Sequence, residues 1–259
     1  MTDWNEVINR ITSFIKQKVD EADAKGVVVG ISGGIDSAVV SFLCVRALGW
    51  DRVLGLIMPE KGVTPEEDVN DALKICKMLG IEYKVIEINP VIDVFLKILG
   101  RNDDIAVANI KPRVRMIINY YHANSRKMLV AGTGNKSELM VGYFTKYGDG
   151  GVDILPIGDL YKTEVFQLAK YLGVPEKIIN KKPSAGLWKG QTDEEELRIS
   201  YSKLDAILKA IERDIELTKI PEIAGVKEDE VNRVVQMIQN SKHKREMPPI
   251  VELRDLISS

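Results

Sequence analysis

The stretch VVVGISGGIDSAVV, residues 27–40, joins a short apolar run to a helix-like pattern through the tripeptide Ser-Gly-Gly. Its three consecutive valines are β-branched and predict a buried strand. Gly33 and Gly34 stand where that strand ends, and Asp36 follows them closely. Because ligands of open α/β sheets bind outside the carboxyl ends of the strands, this loop is the first place to expect a site.

The same alternation of short β-branched runs and longer helical patterns continues along the chain. Further strand candidates are RVLGLIM at 52–58, YKVIEI at 83–88 and MLVAGT at 128–133. The helix-like segments between the strands cover 36–49, 65–80 and about 108–124. Such segments are long enough to cross between parallel strands and to cover both faces of a sheet. The sequence therefore predicts an α/β protein with a doubly wound, mainly parallel, Rossmann-like sheet.

Beyond residue 160 the pattern becomes mostly helical. We expect a single domain over residues 1–259, with an α/β core at about 20–175 and a helical C-terminal segment at about 190–259. Two stretches, 147–153 and 181–191, are rich in Gly, Pro and Lys. This composition is typical of loops that order over a ligand.

The composition narrows the classes of partner. The net charge of −2 gives no sign of a protein that binds nucleic acid or a membrane surface. No apolar run approaches the roughly 18 residues of a membrane helix, and MTDWNEVINR is too polar for a signal peptide, so we expect the cytoplasm. Cys44 and Cys76 lie in apolar helix-like segments without the spacing of a metal or redox pair, and we expect both in the core.

The glycine pair suits a phosphate. Without side chains at 33 and 34, backbone N–H groups can approach an anion that also meets the N-terminus of the following helix. Ser32 and Ser37 add hydroxyl donors, whereas Asp36 would repel a bare phosphate unless a divalent cation lay between them. The alternative is a tight turn in which Asp36 and Ser37 only cap the helix. The spacing matches neither a Walker A loop nor the dinucleotide fingerprint.

At this point the sequence resembles a known superfamily. GISGGIDS at 30–37 is similar to the PP-loop of the N-type ATP pyrophosphatases, which cleave ATP between its α and β phosphates. The resemblance implies an adenine nucleotide alpha hydrolase-like fold. It also implies that ATP contacts Gly30, Ile31, Ser32, Gly33, Gly34, Ile35, Asp36 and Ser37. The motif is shared by enzymes of several activities and leaves the second substrate open.

Three later segments extend the resemblance over almost the whole chain. They are KPRVRMIINYY, GTGNKSELMVGYFTKYGDGGVDILPIGDLYKTEV and KPSAGLWKGQTDEEEL. Together with the PP-loop they resemble ammonia-dependent NAD synthetase. That family converts deamido-NAD (nicotinic acid adenine dinucleotide), ATP and ammonia to NAD, AMP and pyrophosphate through an adenylated intermediate. The resemblance implies Mg²⁺, a homodimer, and no protein nucleophile.

The family pattern also assigns contacts outside the PP-loop. It implies that Asp36 and Glu138 bind the metal. It also implies that ATP contacts Thr133, Lys162 and Ser184. Its deamido-NAD contacts are Arg113, Lys146, Asp153, His243 and Lys244. Arg115 competes with Arg113, because the two lie two residues apart on different helix faces.

Four of these residues also have a plainer interpretation. Glu138 could cap a helix or be solvated, Lys162 could be solvated, and His243 and Lys244 could belong to an ordinary helix end. His122 has no acid or nucleophile at a partnering distance in sequence, and we expect it to be structural. Two positions depart from the family pattern: Ser184 stands where relatives often have Thr, and Arg198 where many have Gly.

Two other functions remain open on the sequence alone. One is another PP-loop ligase, such as the synthetase part of an amidotransferase or a tRNA-modifying enzyme, although mild acidity and the absence of a zinc-like cysteine cluster disfavour tRNA. The other is a nucleotide-binding sensor without turnover. The presence of both Asp36 and Glu138 disfavours a sensor, which needs no pair of metal-binding acids.

Overall fold

A parallel sheet forms the centre of the molecule. The computed structural model describes residues 2–100, 103–253 and 256–257. Within these residues lie four named strands: β1 (Val27–Gly30), β2 (Val53–Ile57), β3 (Glu82–Val85) and β4 (Leu129–Ala131). Their order is β3-β2-β1-β4, and every pairing is parallel. The predicted parallel sheet is confirmed.

Helices account for most of the remaining chain. The first group is α1 (Trp4–Glu21), α2 (Ile35–Leu48), α3 (Glu66–Leu79), α4 (Asn89–Leu99), α5 (Asp104–Arg126), α6 (Lys136–Val141) and α7 (Lys162–Leu172). The second group is α8 (Glu176–Ile179), α9 (Asp193–Leu197), α10 (Tyr201–Glu212), α11 (Ile220–Ala224), α12 (Glu228–Asn240) and α13 (Lys242–Arg245). The second group gives the fold its helical C-terminal part. Among the described residues, no helix has the length and apolar character needed to cross a membrane.

Both faces of the sheet are covered. Val27 and Val29 of β1 belong to a core shared with α1, α2, α3 and α7. Val28 points to the opposite face and belongs to a second core shared with α4 and α5. Side chains alternate between faces along a strand, so three consecutive buried valines require helices on both sides. This arrangement confirms the doubly wound α/β fold.

The strand order places a switch point beside β1. From β1 the chain moves outward through β2 to β3, and it then returns to pair β4 with the other side of β1. The loops after β1 and β4 therefore diverge at the carboxyl edge of the sheet and leave a crevice between them. In open α/β sheets such a crevice is where ligands bind.

Helix α4 is a difference from the sequence-based expectation, which included no helix at 89–99. Several apolar side chains of α4 are exposed, including Val94, Ile98 and Leu99. Its polar residues Asp93 and Lys97 are four residues apart, so the helical period was nevertheless present in the sequence. Helix α5 also begins earlier than expected, at Asp104, where Asp103 caps it by accepting a hydrogen bond from Ala106 N at 2.7 Å.

The C-terminal helices have an apolar core of their own. Its members include Leu204, Ile207 and Leu208 of α10 and Val231 and Val234 of α12. Val141 at the end of α6 and Tyr161 just before α7 pack into the same core. These helices are therefore attached to the sheet through the two segments that follow β4.

The backbone conformation of Arg198 shows why glycine suits this position, where the chain departs from the family pattern. It ends α9 with a φ of +54°, in the left-handed region, where glycine is favoured because it lacks a Cβ. Its carbonyl accepts a hydrogen bond from Arg233 at 3.0 Å, and its side chain is exposed. A glycine at this position would make the same turn with less backbone strain.

We expect Arg198→Gly to stabilise the protein by up to about 1 kcal/mol, because the relief of left-handed strain is partly offset by the greater backbone entropy of glycine in the unfolded chain. Urea unfolding measures the change. The matched control is Glu195→Gly, an exposed position within α9, which we expect to lose roughly 1 kcal/mol. Equal destabilisation by both substitutions would contradict the argument from φ.

Candidate active site

Hydrogen bonds among its own residues fix the conformation of the loop after β1. Ser37 Oγ donates to Gly34 O at 3.0 Å and accepts from Ser32 N at 3.2 Å, and the two serine hydroxyls lie 3.1 Å apart. Ser32 Oγ also accepts from Gly34 N at 3.2 Å. These contacts fix the loop at the N-terminus of α2, where the helix dipole favours an anion.

The two glycines have different reasons to be glycine. Gly33 has a φ of +83°, and a Cβ on it would lie 2.2 Å from the carbonyl oxygen of Asp68, so the backbone itself excludes a side chain. Gly34 has an extended backbone, and a Cβ there would meet only Ser32 Oγ at 3.3 Å. Gly33 is thus required by the turn, whereas the absence of a side chain at Gly34 leaves the surface of the loop accessible.

A buried lysine connects the two carboxylates predicted for the metal. Lys162 Nζ lies 2.5 Å from Asp36 Oδ2 and 3.4 Å from Glu138 Oε1. Only 2% of the Lys162 side chain is exposed, against 18% for Asp36 and 17% for Glu138. The ammonium also lies 5.1 Å from the centroid of the Tyr201 ring. The structure therefore brings together three residues that are widely separated in the sequence.

Asn135 fixes both carboxylates, although sequence reasoning did not select it. The residue is fully buried, and its Nδ2 donates to Asp36 Oδ1 at 3.0 Å. Its Oδ1 accepts from Glu138 N at 3.1 Å, while Glu138 Oε2 accepts from Asn135 N at 3.3 Å. This reciprocal pair is a capping box at the start of α6. The capping interpretation of Glu138 is therefore correct for one oxygen, and its other oxygen faces Lys162.

Burial and charge set the protonation of this cluster. Burial raises the pKa of Glu138 to about 8; the Lys162 charge opposes the shift, and the Asp36 charge adds to it. Burial by itself lowers the pKa of Lys162, but the charges of Asp36 and Glu138 outweigh it and hold that pKa above its ordinary value. Lys162 therefore stays charged at neutral pH, whereas Glu138 can exchange a proton there.

Asp193 is a third buried acid near the lysine. It is 3% exposed and accepts hydrogen bonds from Tyr201 at 3.0 Å and Tyr143 at 3.2 Å. Burial raises the pKa of Asp193, and the Lys162 charge partly offsets the shift. Tyr201 thus contacts both groups, through its ring with the ammonium and through its hydroxyl with the carboxylate.

The two carboxylates of this site suit Mg²⁺ better than they suit a metal that takes all of its ligands from the protein. Among the residues that the structure describes, no group of three or more His, Cys, Asp or Glu side chains is arranged around a common metal position. Mg²⁺ is commonly bound by one or two carboxylates, with phosphate oxygens and water completing its shell. Asp36 and Glu138, each with one oxygen at the ammonium, supply that number beside a phosphate-type loop.

Thr133 and Ser184, which were also predicted to contact ATP, lie on different loops. Thr133 follows β4 and is half-buried in the loop on the far side of the switch point. Ser184 is exposed, and its hydroxyl accepts a hydrogen bond from Gly186 N at 3.1 Å. Its contact with ATP stays a prediction.

Lys181 was not selected from the sequence, yet it contacts the PP-loop directly. Its ammonium donates to Gly33 O at 3.2 Å, to Asp68 at 2.7 Å and to Asp71 at 2.6 Å. The only signal for it was its place at the start of the lysine-rich stretch 181–191. Lys181 therefore links that loop to the turn at Gly33.

A second buried ion pair anchors the middle of the same loop. Lys111 of α5 lies 2.8 Å from Glu60, which follows β2, and both residues are buried. Its Nζ also donates to Leu187 O at 2.5 Å. The loop at 181–191 is therefore fastened to the carboxyl edge of the sheet at two points, and its ordering on ligand binding stays a prediction.

Three of the predicted dinucleotide contacts form one basic cluster. The guanidinium of Arg113 donates to Lys146 O at 3.3 Å, and Lys146 Nζ donates to His243 O at 2.5 Å. Lys244 lies nearby and donates to Gly142 O at 2.7 Å and to Phe144 O at 2.8 Å. A cavity of about 340 Å³ lies beside the cluster and is lined in part by Lys146 and His243.

Asp153 and Arg115 lie outside these contacts. Asp153 accepts hydrogen bonds from Tyr120 at 2.9 Å and from Val130 N at 2.7 Å, so its carboxylate continues the hydrogen bonding of β4 on the outer side. Arg115 points beneath α5 and donates to Met58 O at 3.1 Å, whereas Arg113 is exposed. Of the two arginines, Arg113 is thus the one that adjoins Lys146.

His122, Cys44 and Cys76 are all buried, in agreement with the structural roles that the sequence predicted for them. His122 is buried, and its ring packs edge-on against Tyr121 with 5.2 Å between centroids. Burial lowers the pKa of His122, and the Lys84 and Arg126 charges add to the shift. Cys44 and Cys76 are free and buried, as expected for core residues.

Fold and site together define a class. A phosphate-type loop at the switch point of a doubly wound sheet, with two carboxylates and a buried lysine beside it, is the arrangement of an α/β nucleotide-binding enzyme. The family model for NAD synthase matches residues 7–248 of the chain. The chain belongs to the NAD synthase family.

Individual relatives agree with this assignment. A protein of Archaeoglobus fulgidus named NH(3)-dependent NAD(+) synthetase is 61% identical over 256 residues, which cover 98% of this chain and 99% of that protein. The NH3-dependent NAD synthetase structure from Campylobacter jejuni has a TM-score of 0.83 at 36% identity, covering 97% of this chain and all of that one. The NMN synthetase structure from Francisella tularensis has a TM-score of 0.86 at 34% identity, covering 97% and 99%.

The raised pKa of Glu138 predicts how stability depends on pH. Below the ordinary value of 4.5 the carboxyl is protonated in both states, and between 4.5 and about 8 the native state keeps a proton that the unfolded state has lost. The native protein therefore loses stability relative to Glu138→Gln as pH rises through this window. We expect a relative change on the order of 1 kcal/mol or more.

Urea unfolding at pH 5 and pH 8.5, without metal or nucleotide, measures this difference. Glu195→Gln, at an exposed position of α9, is the control and should show no such trend. A constant difference between wild type and Glu138→Gln at the two pH values would show that Glu138 has an ordinary pKa.

Proposed function

We propose that the chain is an ammonia-dependent NAD synthetase. It would catalyse ATP-dependent amidation of deamido-NAD to NAD and release AMP and pyrophosphate. Membership of the NAD synthase family supports this activity. The observation that carries it is the buried ammonium of Lys162 at Asp36 and Glu138, beside a phosphate-type loop. A ligase that cleaves ATP needs fixed positive charge where pyrophosphate leaves.

The first step joins the nicotinate carboxylate to AMP. A carboxylate oxygen attacks the α-phosphorus, a P–O bond forms, and the bond from the α-phosphorus to the bridging oxygen breaks with its electron pair going to pyrophosphate. The N-terminus of α2 and the hydroxyl of Ser32 bind the phosphates, and Lys162 stabilises the departing charge. Asp36 and Glu138 would hold Mg²⁺, which neutralises phosphate charge when bound.

The second step forms the amide. Ammonia attacks the activated carbonyl through its lone pair, the C–N bond forms, AMP leaves with the electrons of the C–O bond, and a proton goes to solvent. No protein nucleophile is needed, so the protein acts by positioning and charge. Burial raises the pKa of Cys44 to about 12 and that of Cys76 to about 11, so neither is a reactive thiolate. Two free thiols also suit the reducing cytoplasm that we propose as the compartment.

The basic cluster would bind the second nucleotide of deamido-NAD. Lys146 and His243 line the cavity, Arg113 contacts Lys146, and Lys244 follows His243 in the chain, so these side chains would supply donors for pyrophosphate or a ribose. In this proposal Arg113 rather than Arg115 makes the contact, because Arg115 is turned towards Met58. Asp153 would need to release Tyr120 to accept from a ribose hydroxyl.

The test is a product assay with purified protein, ATP, Mg²⁺, deamido-NAD and ammonium, in which we expect NAD and AMP in equal amounts. ADP as the nucleotide product, or no turnover, would contradict the proposal. In a second reaction, glutamine freed of ammonia replaces ammonium. We expect little NAD there, because the described part of the chain holds no reactive thiolate to hydrolyse glutamine.

The similarity to an NMN synthetase supplies a second candidate substrate. Nicotinic acid mononucleotide presents the same carboxylate without the adenylate half. If the basic cluster binds the adenylate half, deamido-NAD should have a higher kcat/KM than the mononucleotide. Arg113→Ala should then reduce the difference in kcat/KM between the two substrates. A higher kcat/KM for the mononucleotide would assign the chain to NMN synthesis instead.

Asp36→Asn should retain the fold and lose most turnover, since an amide is a poorer Mg²⁺ ligand and a weaker partner for Lys162 than a carboxylate. Glu138→Gln should behave similarly. If both serve one ion, the double variant should lose little more than either single variant. Steady-state kcat with saturating substrates measures this, and additive losses would show two independent roles.

We also propose that the chain is a homodimer and that the partner surface is a second copy of α4 and α5. The support is an apolar surface on these helices. Its members include Val94, Ile98, Leu99, Ile117 and Tyr121, all of which are more than half exposed. An isologous dimer covers such a surface with its own copy.

Ile98→Glu, at a side chain that is 74% exposed, should shift the protein from dimer to monomer, because it would place a carboxylate inside the interface. Sedimentation velocity over a range of protein concentrations measures the state. Ile223→Glu, at an exposed apolar side chain of α11, is the matched control and should leave it unchanged. A monomeric wild type would contradict the proposed dimer.

A further inference from the structure

One side of helix α10 carries polar residues that face the helix starts of the active site. Asp205, Lys209 and Glu212 are spaced by four and three residues, so they lie on the same side of the helix. All three form hydrogen bonds or ion pairs with residues at the starts of α6 and α7. We name these three residues the polar stripe of α10.

Asp205 is the buried member of the polar stripe. It is 2% exposed, its Oδ1 accepts from Ser137 Oγ at 2.5 Å, and its Oδ2 accepts from Thr163 N at 2.8 Å. Ser137 Oγ in turn accepts from Lys162 N at 2.9 Å. One carboxylate thus satisfies, directly or through Ser137, two free N–H groups at the start of α7.

These contacts lie next in sequence to two active-site residues. Ser137 precedes Glu138, and Thr163 follows Lys162. Asp205 therefore joins the first turn of α6 to the first turn of α7 at the positions from which Glu138 and Lys162 project. A shift of either turn would change the 3.4 Å separation between Glu138 Oε1 and Lys162 Nζ.

The other two members hold the same turns from the outside. Lys209 lies 2.7 Å from Glu164, which accepts from Tyr161 N at 3.0 Å in the cap of α7. Glu212 accepts from Tyr161 Oη at 3.0 Å and pairs with Lys136 at the start of α6. Both members are more exposed than Asp205, so their contacts are weaker in water.

We propose that Asp205 is a positioning residue that sets the relative placement of Glu138 and Lys162. It touches neither ATP nor the reacting atoms, and it acts through Ser137 and the backbone of α7. This inference rests on the proposed function only in that Glu138 and Lys162 receive Mg²⁺ and ATP. It gives the C-terminal helices a direct part in shaping the ATP site.

The test is equilibrium binding of α,β-methylene-ATP, which is not cleaved between its α and β phosphates, to the full chain by calorimetry at low and high Mg²⁺. Asp205→Ala should weaken binding at least tenfold at low Mg²⁺, because Glu138 and Lys162 are no longer held in register. Asp205→Asn should weaken it less, since the amide keeps one acceptor for Thr163 N. Recovery at high Mg²⁺ should be partial for both variants.

The matched control is Leu208→Ala, on the same helix but buried in the apolar core. It should lower the Tm yet leave binding within twofold of wild type. Asp205→Ala binding within twofold of wild type, or an equal loss in Leu208→Ala, would overturn the proposal. Should Asp205→Ala not fold, Asp205→Asn and Ser137→Ala decide by the same comparison, with Ser137→Ala expected to lose affinity.

If the proposed function were wrong, the experiments would give a different set of results. A wild type that binds the analogue but forms no NAD would contradict the synthetase activity and leave the comparison of variants intact. A wild type that does not bind the analogue at any Mg²⁺ concentration would contradict both.

Discussion

The buried ammonium of Lys162 is the interaction on which the rest of the site depends. The two acids and the lysine stabilise one another, because a buried charge without a partner costs several kcal/mol. Lys162 Nζ contacts both Asp36 and Glu138, and Asn135 holds the two acids from the other side. When Glu138 is ionised, the ammonium offsets its repulsion of Asp36, and when Glu138 is protonated, the Asp36–Lys162 pair remains.

The fold explains why these groups meet. Asp36 enters from the helix after β1, Glu138 from the helix after β4, and Lys162 from α7, which packs on the same face as α2. Because β1 and β4 are neighbours whose connections run in opposite directions, their carboxyl ends open onto one crevice. The sheet therefore supplies two of the three residues, and the packing of α7 supplies the third.

Much of this was accessible from the sequence, for identifiable reasons. The strands were predicted because runs such as Val27–Gly30 are β-branched and bounded by Gly, and parallel pairing followed from the lengths of the connections. Asp36, Glu138 and Lys162 were selected because they lie in long motifs of a family. Asp36 and Glu138 were expected at one metal ion, but the ion pairs of Lys162 with both acids were not predicted, because the Asp36 contact spans 126 residues of sequence and has no local signal.

The three missed polar residues have a common physical cause. Asn135, Lys181 and Asp205 act through hydrogen bonds to backbone or to other side chains, and no periodicity marks such a residue before the fold is known. Helix α4 is a different case, because its polar residues Asp93 and Lys97 lie one helical turn apart among apolar residues, so the helical period was readable in the sequence.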